Sequence, residues 1–202
     1  MCSLCRCMRD EFIFRVFEEP VGEKDAQSVI DGLCVRDQME ARDIAVKRYG
    51  FAVPCIEAIR VLVSLSPLVE VGAGSGLWSR LVREAGGDIV ATDKFGVERD
   101  GFSKMWSGEA IERMEASEAV RAFPECNVFV SWPSYCGKWA AEMAALIRPG
   151  RSLVVIGEDR GGCTADDDFF DLLDSGYEEV GLLRIPRWPG ICDMLTVHVR
   201  KG

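Results

Sequence analysis

Glu70, the glycines at 72, 74 and 76, and Asp93 are the residues whose types and spacing point most directly to chemistry. The glycines fall in Val69-Glu70-Val71-Gly72-Ala73-Gly74-Ser75-Gly76. Glycine lets a backbone turn sharply and approach a ligand closely. A helix that starts directly behind such a turn presents free N–H groups. The stretch therefore reads as a nucleotide-binding turn. A dinucleotide turn follows GxGxxG, but here the third position after Gly74 is Leu77, and the third glycine is Gly76. Glu70 stands two residues before the first glycine. Its carboxylate would repel a pyrophosphate and attract a cationic amino acid or a sulfonium. Asp93 follows Gly72 by 21 residues, a position suited to an acid that holds two ribose hydroxyls. This combination suits S-adenosylmethionine better than a nicotinamide dinucleotide.

A second group is Ser131-Trp132-Pro133-Ser134-Tyr135. Ser131 can accept a hydrogen bond but carries no charge. Glu158, at the end of an apolar run, is a candidate general base facing the same cleft. Asp166-Asp167-Asp168 reads as an acidic first turn of a helix, where the helix dipole favours negative charge. Cys2, Cys5 and Cys7 could supply part of a zinc site with Cys34, but no second CxxC or nearby histidine completes the set. No metal is expected. His198 is the single histidine, which excludes di-histidine metal sites and disfavours a histidine-based triad.

The elements that must position these residues follow from periodicity. Asp25 to Tyr49 reads as one or two short helices, within an N-terminal helical extension over residues 1–50. Pro54 sits at a helix start, Ile56, Ile59, Leu62 and Val63 recur at helical spacing, and Ser66-Pro67 ends that helix. Leu68 to Val71 is a strand leading into the glycine turn. Leu77, Leu81 and Ala85 mark a helix stopped by Gly86-Gly87. Ile89 to Thr92 is a strand ending at Asp93. A weaker strand over Glu109 to Met114, a helix over Glu118 to Ala122, and the strand Val128-Phe129-Val130 follow. Trp139, Met143, Ala144 and Ile147 line a helix, Leu153 to Ile156 is a strand, and Asp166 to Leu173 a helix. Val180 to Leu183 and Met194 to Val197 form an antiparallel pair, joined by a loop containing Arg184 to Trp188. Alternating strands and helices imply an α/β, doubly wound, mostly parallel sheet covered on both faces.

Glu70-Val71-Gly72-Ala73-Gly74-Ser75-Gly76 resembles the first motif of class I S-adenosylmethionine-dependent methyltransferases, and Asp93 matches that family's ribose-binding acid. Glu115-Ala116 is similar to its acidic-plus-small pair near the adenine. Ser131 to Tyr135 lies where the family has its fourth motif, which implies Ser131, Pro133 and Tyr135 as candidates for the reacting end, and Ser131 and Trp132 for contact with a cofactor. Tyr49-Gly50-Phe51-Ala52-Val53-Pro54 resembles an aromatic-rich loop ahead of the first strand in a group of bacterial and viral members. The resemblance covers about residues 50 to 200. It implies a Rossmann-like seven-stranded sheet with an antiparallel last strand, over a methyltransferase domain of residues 51–202. It also implies S-adenosylmethionine as cofactor, held by Glu70, Gly72, Ala73, Gly74, Gly76, Asp93, Glu115, Ala116, Ser131 and Trp132. Amine-directed members have Asn or Asp, then Pro-Pro, then an aromatic at the fourth motif. There the polar side chain and a backbone carbonyl accept from the target nitrogen. Ser131, the inserted Trp132 and Ser134 depart from that pattern.

Composition bounds the rest. The 202 residues are one domain's worth, with no apolar stretch near the roughly 20 residues of a membrane span. Against 33 acidic residues stand 24 basic ones, a net charge of -9, which disfavours sequence-blind nucleic-acid binding. The number of cysteines is odd, nine, and no basic-then-apolar signal opens the chain, so reduced thiols in a cytoplasmic protein are expected. The expected function is methyl transfer to nitrogen or oxygen of a small-molecule or protein acceptor. The alternative is a non-catalytic binding protein on the same fold.

Overall fold

Leu68–Val71 (β1) is buried along its whole length, as expected of a parallel strand covered on both faces. The computed structural model describes residues 15–96, 110–135 and 137–202. Around β1 lie Ile89–Asp93 (β2), Ile111–Arg113 (β3), Asn127–Ser131 (β4), Ser152–Gly157 (β5), Tyr177–Arg184 (β6) and Met194–Arg200 (β7). They form one sheet of seven strands in the order β3-β2-β1-β4-β5-β7-β6. The pairs β1–β2, β1–β4, β2–β3 and β4–β5 are parallel, and β7 runs antiparallel to both β5 and β6.

The helices among the described residues include Glu23–Asp31 (α1), Val35–Arg48 (α2), Ile56–Ser64 (α3), Leu77–Glu84 (α4), Ala116–Ala122 (α5), Trp139–Ala145 (α6) and Asp167–Gly176 (α7). Because successive strand side chains point to opposite faces, the sheet serves two cores. Leu68, Phe129, Val154 and Ile156 face α1 to α4, where they pack with Ile30, Ala41, Leu62 and Leu81. Val69, Val71, Val128, Val130, Leu153 and Val155 face α5 to α7, packing with Ala119, Met143 and Phe169. Full burial of one such Leu, Val or Phe contributes roughly 1.5–3 kcal/mol, so the central β1–β4 pair is held from both faces.

Several boundaries differ from the periodicity. The Asp25–Tyr49 stretch divides into α1 and α2 at Gly32, the C-cap of α1. Pro54 lies one residue ahead of the α3 N-cap, Cys55, and α3 stops at Ser64, before Ser66-Pro67. β3 spans only three residues; the expected start of that strand, Glu109, lies outside the described residues, as do Cys2, Cys5 and Cys7. α5 begins at Ala116 with Glu115 as its N-cap. The Asp166 side chain caps α7, accepting the Phe169 N–H at 3.0 Å. Phe17, Ile30, Ala41 and Ala45 share one core with Leu62 and Leu81, so the helices ahead of residue 50 are packed onto the sheet. Among the described residues no helix is long and apolar enough to cross a membrane.

Candidate active site

The sheet order reverses between β1 and β4, and in open α/β sheets such a switch point leaves a crevice beyond the carboxyl ends of the strands. A cavity of about 680 Å³ occupies that place, within the usual range for a small-molecule site.

The glycine turn forms its floor. Gly72, Gly74 and Gly76 have φ of +72°, +61° and +76°, a region L side chains rarely adopt. At Gly72 a Cβ would meet nothing within 4 Å, so backbone conformation rather than crowding requires the glycine. The turn is fixed by the Ala73 N–H donating to the Thr92 carbonyl and the Gly76 N–H to the Ala73 carbonyl, both at 2.9 Å. Gly76 is the N-cap of α4. The Ser75 hydroxyl donates to the Tyr49 carbonyl at 2.6 Å and ties the turn to the aromatic loop.

Asp93, at the end of β2, is 2% exposed. Its Oδ2 accepts the Gly74 N–H at 3.0 Å and its Oδ1 the Phe95 N–H at 2.9 Å. Glu70 is 1% exposed, and its Oε2 accepts from the Ser79 hydroxyl at 2.5 Å. Burial pushes the Glu70 carboxyl up to about 7; hydrogen bonds from Ser79 oppose this and the nearby Asp93 charge adds to it.

Of the residues expected at a cofactor, Glu70, Gly72, Ala73, Gly74 and Asp93 line the cavity, as do Glu115, Ala116, Ser131 and Trp132. Gly76 does not; it sits one step behind, starting α4. Lys94 Nζ reaches Glu115 Oε1 at 3.1 Å across the β2–β3 side. Both side chains are exposed, so the pair contributes little to stability.

The reacting-end candidates divide. Ser131 lines the cavity at the end of β4, and so does Ser134, whose Oγ accepts from Trp139 Nε1 at 2.8 Å. Pro133 is buried outside the lining, and its carbonyl accepts the Ala165 N–H at 2.9 Å. Tyr135 is 59% exposed and does not line the cavity.

Glu158 does not line the cavity either. Its Oε2 accepts the Cys163 N–H and its Oε1 the Cys192 N–H, both at 2.8 Å. Burial acts to raise its carboxyl, but these backbone donors outweigh burial and hold it below the usual carboxylate range. An acid so held fastens loops and is a poor base. His198 lies on β7, buried, with its ring lowered by desolvation, and does not line the cavity.

Sequence reasoning gave no role to Phe95, Trp78, Met114 and Cys163, which also line the cavity, and it gave Trp139 only as one face of a helix. The aromatic-rich stretch around Phe51 was the available signal for an aromatic wall: Phe51 stacks on Trp132 with ring centroids 4.6 Å apart and planes 11° apart.

No protein-family model matches the chain, and no curated protein matches it in sequence. Solved structures do match it in fold. The magnesium protoporphyrin IX methyltransferase of Synechocystis, solved with S-adenosylmethionine bound, aligns over 100% of this chain and 99% of its own. The identity is 13% and the TM-score 0.51. An S-adenosylmethionine-dependent methyltransferase of Archaeoglobus fulgidus aligns over 71% of this chain and 90% of its own, at 11% identity and a TM-score of 0.50. The chain has the Rossmann-like fold of the class I methyltransferases, a seven-stranded mixed sheet with helices on both faces.

Proposed function

We propose that the chain is an S-adenosylmethionine-dependent methyltransferase acting on a small-molecule acceptor. The observation that carries this reading is the cavity at the β1–β4 switch point, where Asp93 and the glycine turn are hydrogen-bonded to each other. The residues present suit the cofactor. Asp93 accepts the Gly74 and Phe95 N–H groups and lines the cavity at the end of β2, where a carboxylate suits ribose hydroxyls. Glu70 supplies negative charge at the amino-acid end, and Met114 and Phe95 supply apolar surface beside Glu115 and Ala116 at the adenine end. When bound, the cofactor supplies an electrophilic methyl group on sulfur.

The chain's own task is to hold an acceptor in line with that methyl group. Ser131, Trp132, Ser134 and Trp139 bound the acceptor end. The arrangement used by amine-directed members of the class I family is not reproduced: Ser131 stands in place of the Asn or Asp, Trp132 is inserted before Pro133, and the Pro133 carbonyl accepts from Ala165. This favours an acceptor atom whose lone pair is free near neutral pH, such as a heteroaromatic nitrogen, over an alkylamine. Aromatic walls and a net charge of -9 favour a neutral or cationic acceptor over a phosphate-rich one.

A non-catalytic binding protein is the second reading, favoured by the engagement of both Glu158 oxygens with backbone donors. Labelled cofactor incubated with small-molecule, protein, RNA and DNA fractions of a cell extract tests the proposal. Label is expected in the small-molecule fraction. Label mainly in nucleic acid would overturn the acceptor class, and label in no fraction would favour the binding protein.

A further inference from the structure

Trp132 is held in an unusual way for a residue at the end of a strand. Its φ is +53°, a left-handed conformation that is strained for a bulky residue and persists only where surroundings fix it. Three contacts fix it. The Trp132 N–H donates to the Ile156 carbonyl at 2.7 Å. The ring stacks on Phe51 from the loop ahead of α3. The indole Nε1–H donates to Asp193 Oδ2 at 3.0 Å.

Asp193 precedes β7 and is 1% exposed. A carboxylate at that depth is costly unless it is bonded. Its Oδ1 has no hydrogen-bond partner among the described residues. The indole bond is thus the contact that the buried acid makes through a side chain, and the acid does not itself line the cavity. Next to it, the Cys192 N–H donates to Glu158, so the segment carrying Asp193 is anchored to the end of β5. Asp193 and Glu158 together join the loops after β4 and β5 to the start of β7.

We infer that Asp193 is a positioning residue, which sets Trp132 as the wall of the acceptor end and thereby the orientation of the acceptor. The inference rests on the methyltransferase reading for the word acceptor; the Asp193–Trp132 arrangement stands apart from it. Asp193 touches neither cofactor nor acceptor and acts through the indole. The Phe51–Trp132 stack gives that wall a flat apolar face, to which a planar acceptor would be matched.

Two readouts separate the possibilities. The chain has five tryptophans, and Trp132→Phe identifies the Trp132 indole N–H in a nitrogen–proton correlation spectrum. In Asp193→Leu that proton is expected to exchange with solvent at least tenfold faster. In Asp193→Asn, whose amide oxygen still accepts, most of the protection should return. With the acceptor fraction found by labelling, Asp193→Leu is expected to raise the acceptor KM or lower kcat at least tenfold. The cofactor Kd should change less than threefold, and Asp193→Asn should recover most of the loss. An unchanged indole signal in Asp193→Leu, equal damage in both variants, or cofactor affinity falling in step with turnover would overturn the inference. If the wild-type chain transfers no label, the methyltransferase reading fails, while the indole exchange still decides whether Asp193 sets Trp132. Should Asp193→Leu fail to fold, Asp193→Asn and Asp193→Ser carry the same comparison, with Asp193→Ser expected to lose protection.

Discussion

Asp93 at the end of β2 accepts the backbone N–H of Gly74 at 3.0 Å, so the acid and the glycine turn form one unit and not two neighbouring features. The bond crosses from the second strand to the turn after the first, and it aligns both with the cavity.

Asp93→Ala should therefore do two things. Loss of charge-assisted bonds to ribose hydroxyls should weaken S-adenosylmethionine at least tenfold, about 1.4 kcal/mol. Loss of the acceptor for the Gly74 and Phe95 N–H groups should lower stability by about 1–3 kcal/mol. Calorimetry reads the first and denaturant melts the second. Unchanged cofactor affinity would remove Asp93 from the site.

Gly74→Val places a β-branched side chain at φ +61°. Strain of the order of 1–3 kcal/mol is expected, together with loss of measurable cofactor binding. Gly86→Ala, also at positive φ but outside the cavity, should cost stability and leave binding alone.

Glu70 makes stability depend on pH. Its carboxyl is raised from 4.5 to about 7 in the folded state, so the folded chain holds a proton that the unfolded chain releases. The stabilisation is fully present below about 4.5 and is lost as pH rises to about 7. The stability difference between wild type and Glu70→Gln should slope downward over that window and flatten above it. A cationic ligand group beside Glu70 favours the ionised form, so cofactor binding should release protons and strengthen as pH rises through about 7. Titrations in buffers of different ionisation enthalpy measure this directly; binding without proton release would separate Glu70 from the ligand.

Glu158→Gln tests the loop-fastening role. One carboxylate oxygen becomes an amide nitrogen that cannot accept from Cys163 or Cys192, so about 1–3 kcal/mol of stability should go. Cofactor affinity should change less than threefold. A collapse of turnover with stability intact would restore Glu158 as a base.

The fold was legible because the strands carry their periodicity openly. Leu68 to Val71, Val128 to Val130 and Leu153 to Ile156 are short apolar runs, and the structure makes each of them a strand of the sheet, buried along its length. The glycine turn was legible too, because acid, glycines and second acid sit within one β–α–β unit. What was illegible depends on distant chain. Trp132 and Asp193 are 61 residues apart and meet only because β7 pairs with β5. Glu158 ends an apolar strand as a cleft-facing base would, yet N–H groups from Cys163 and Cys192 claim it. Local pattern carries no sign of such donors.

Calorimetric titration of the chain with S-adenosylmethionine, its demethylated product and NAD tests the central claim most directly. Saturable one-to-one binding of the first two, with no binding of NAD, is the predicted result. Failure of S-adenosylmethionine to bind, or tighter binding of NAD, would contradict the account.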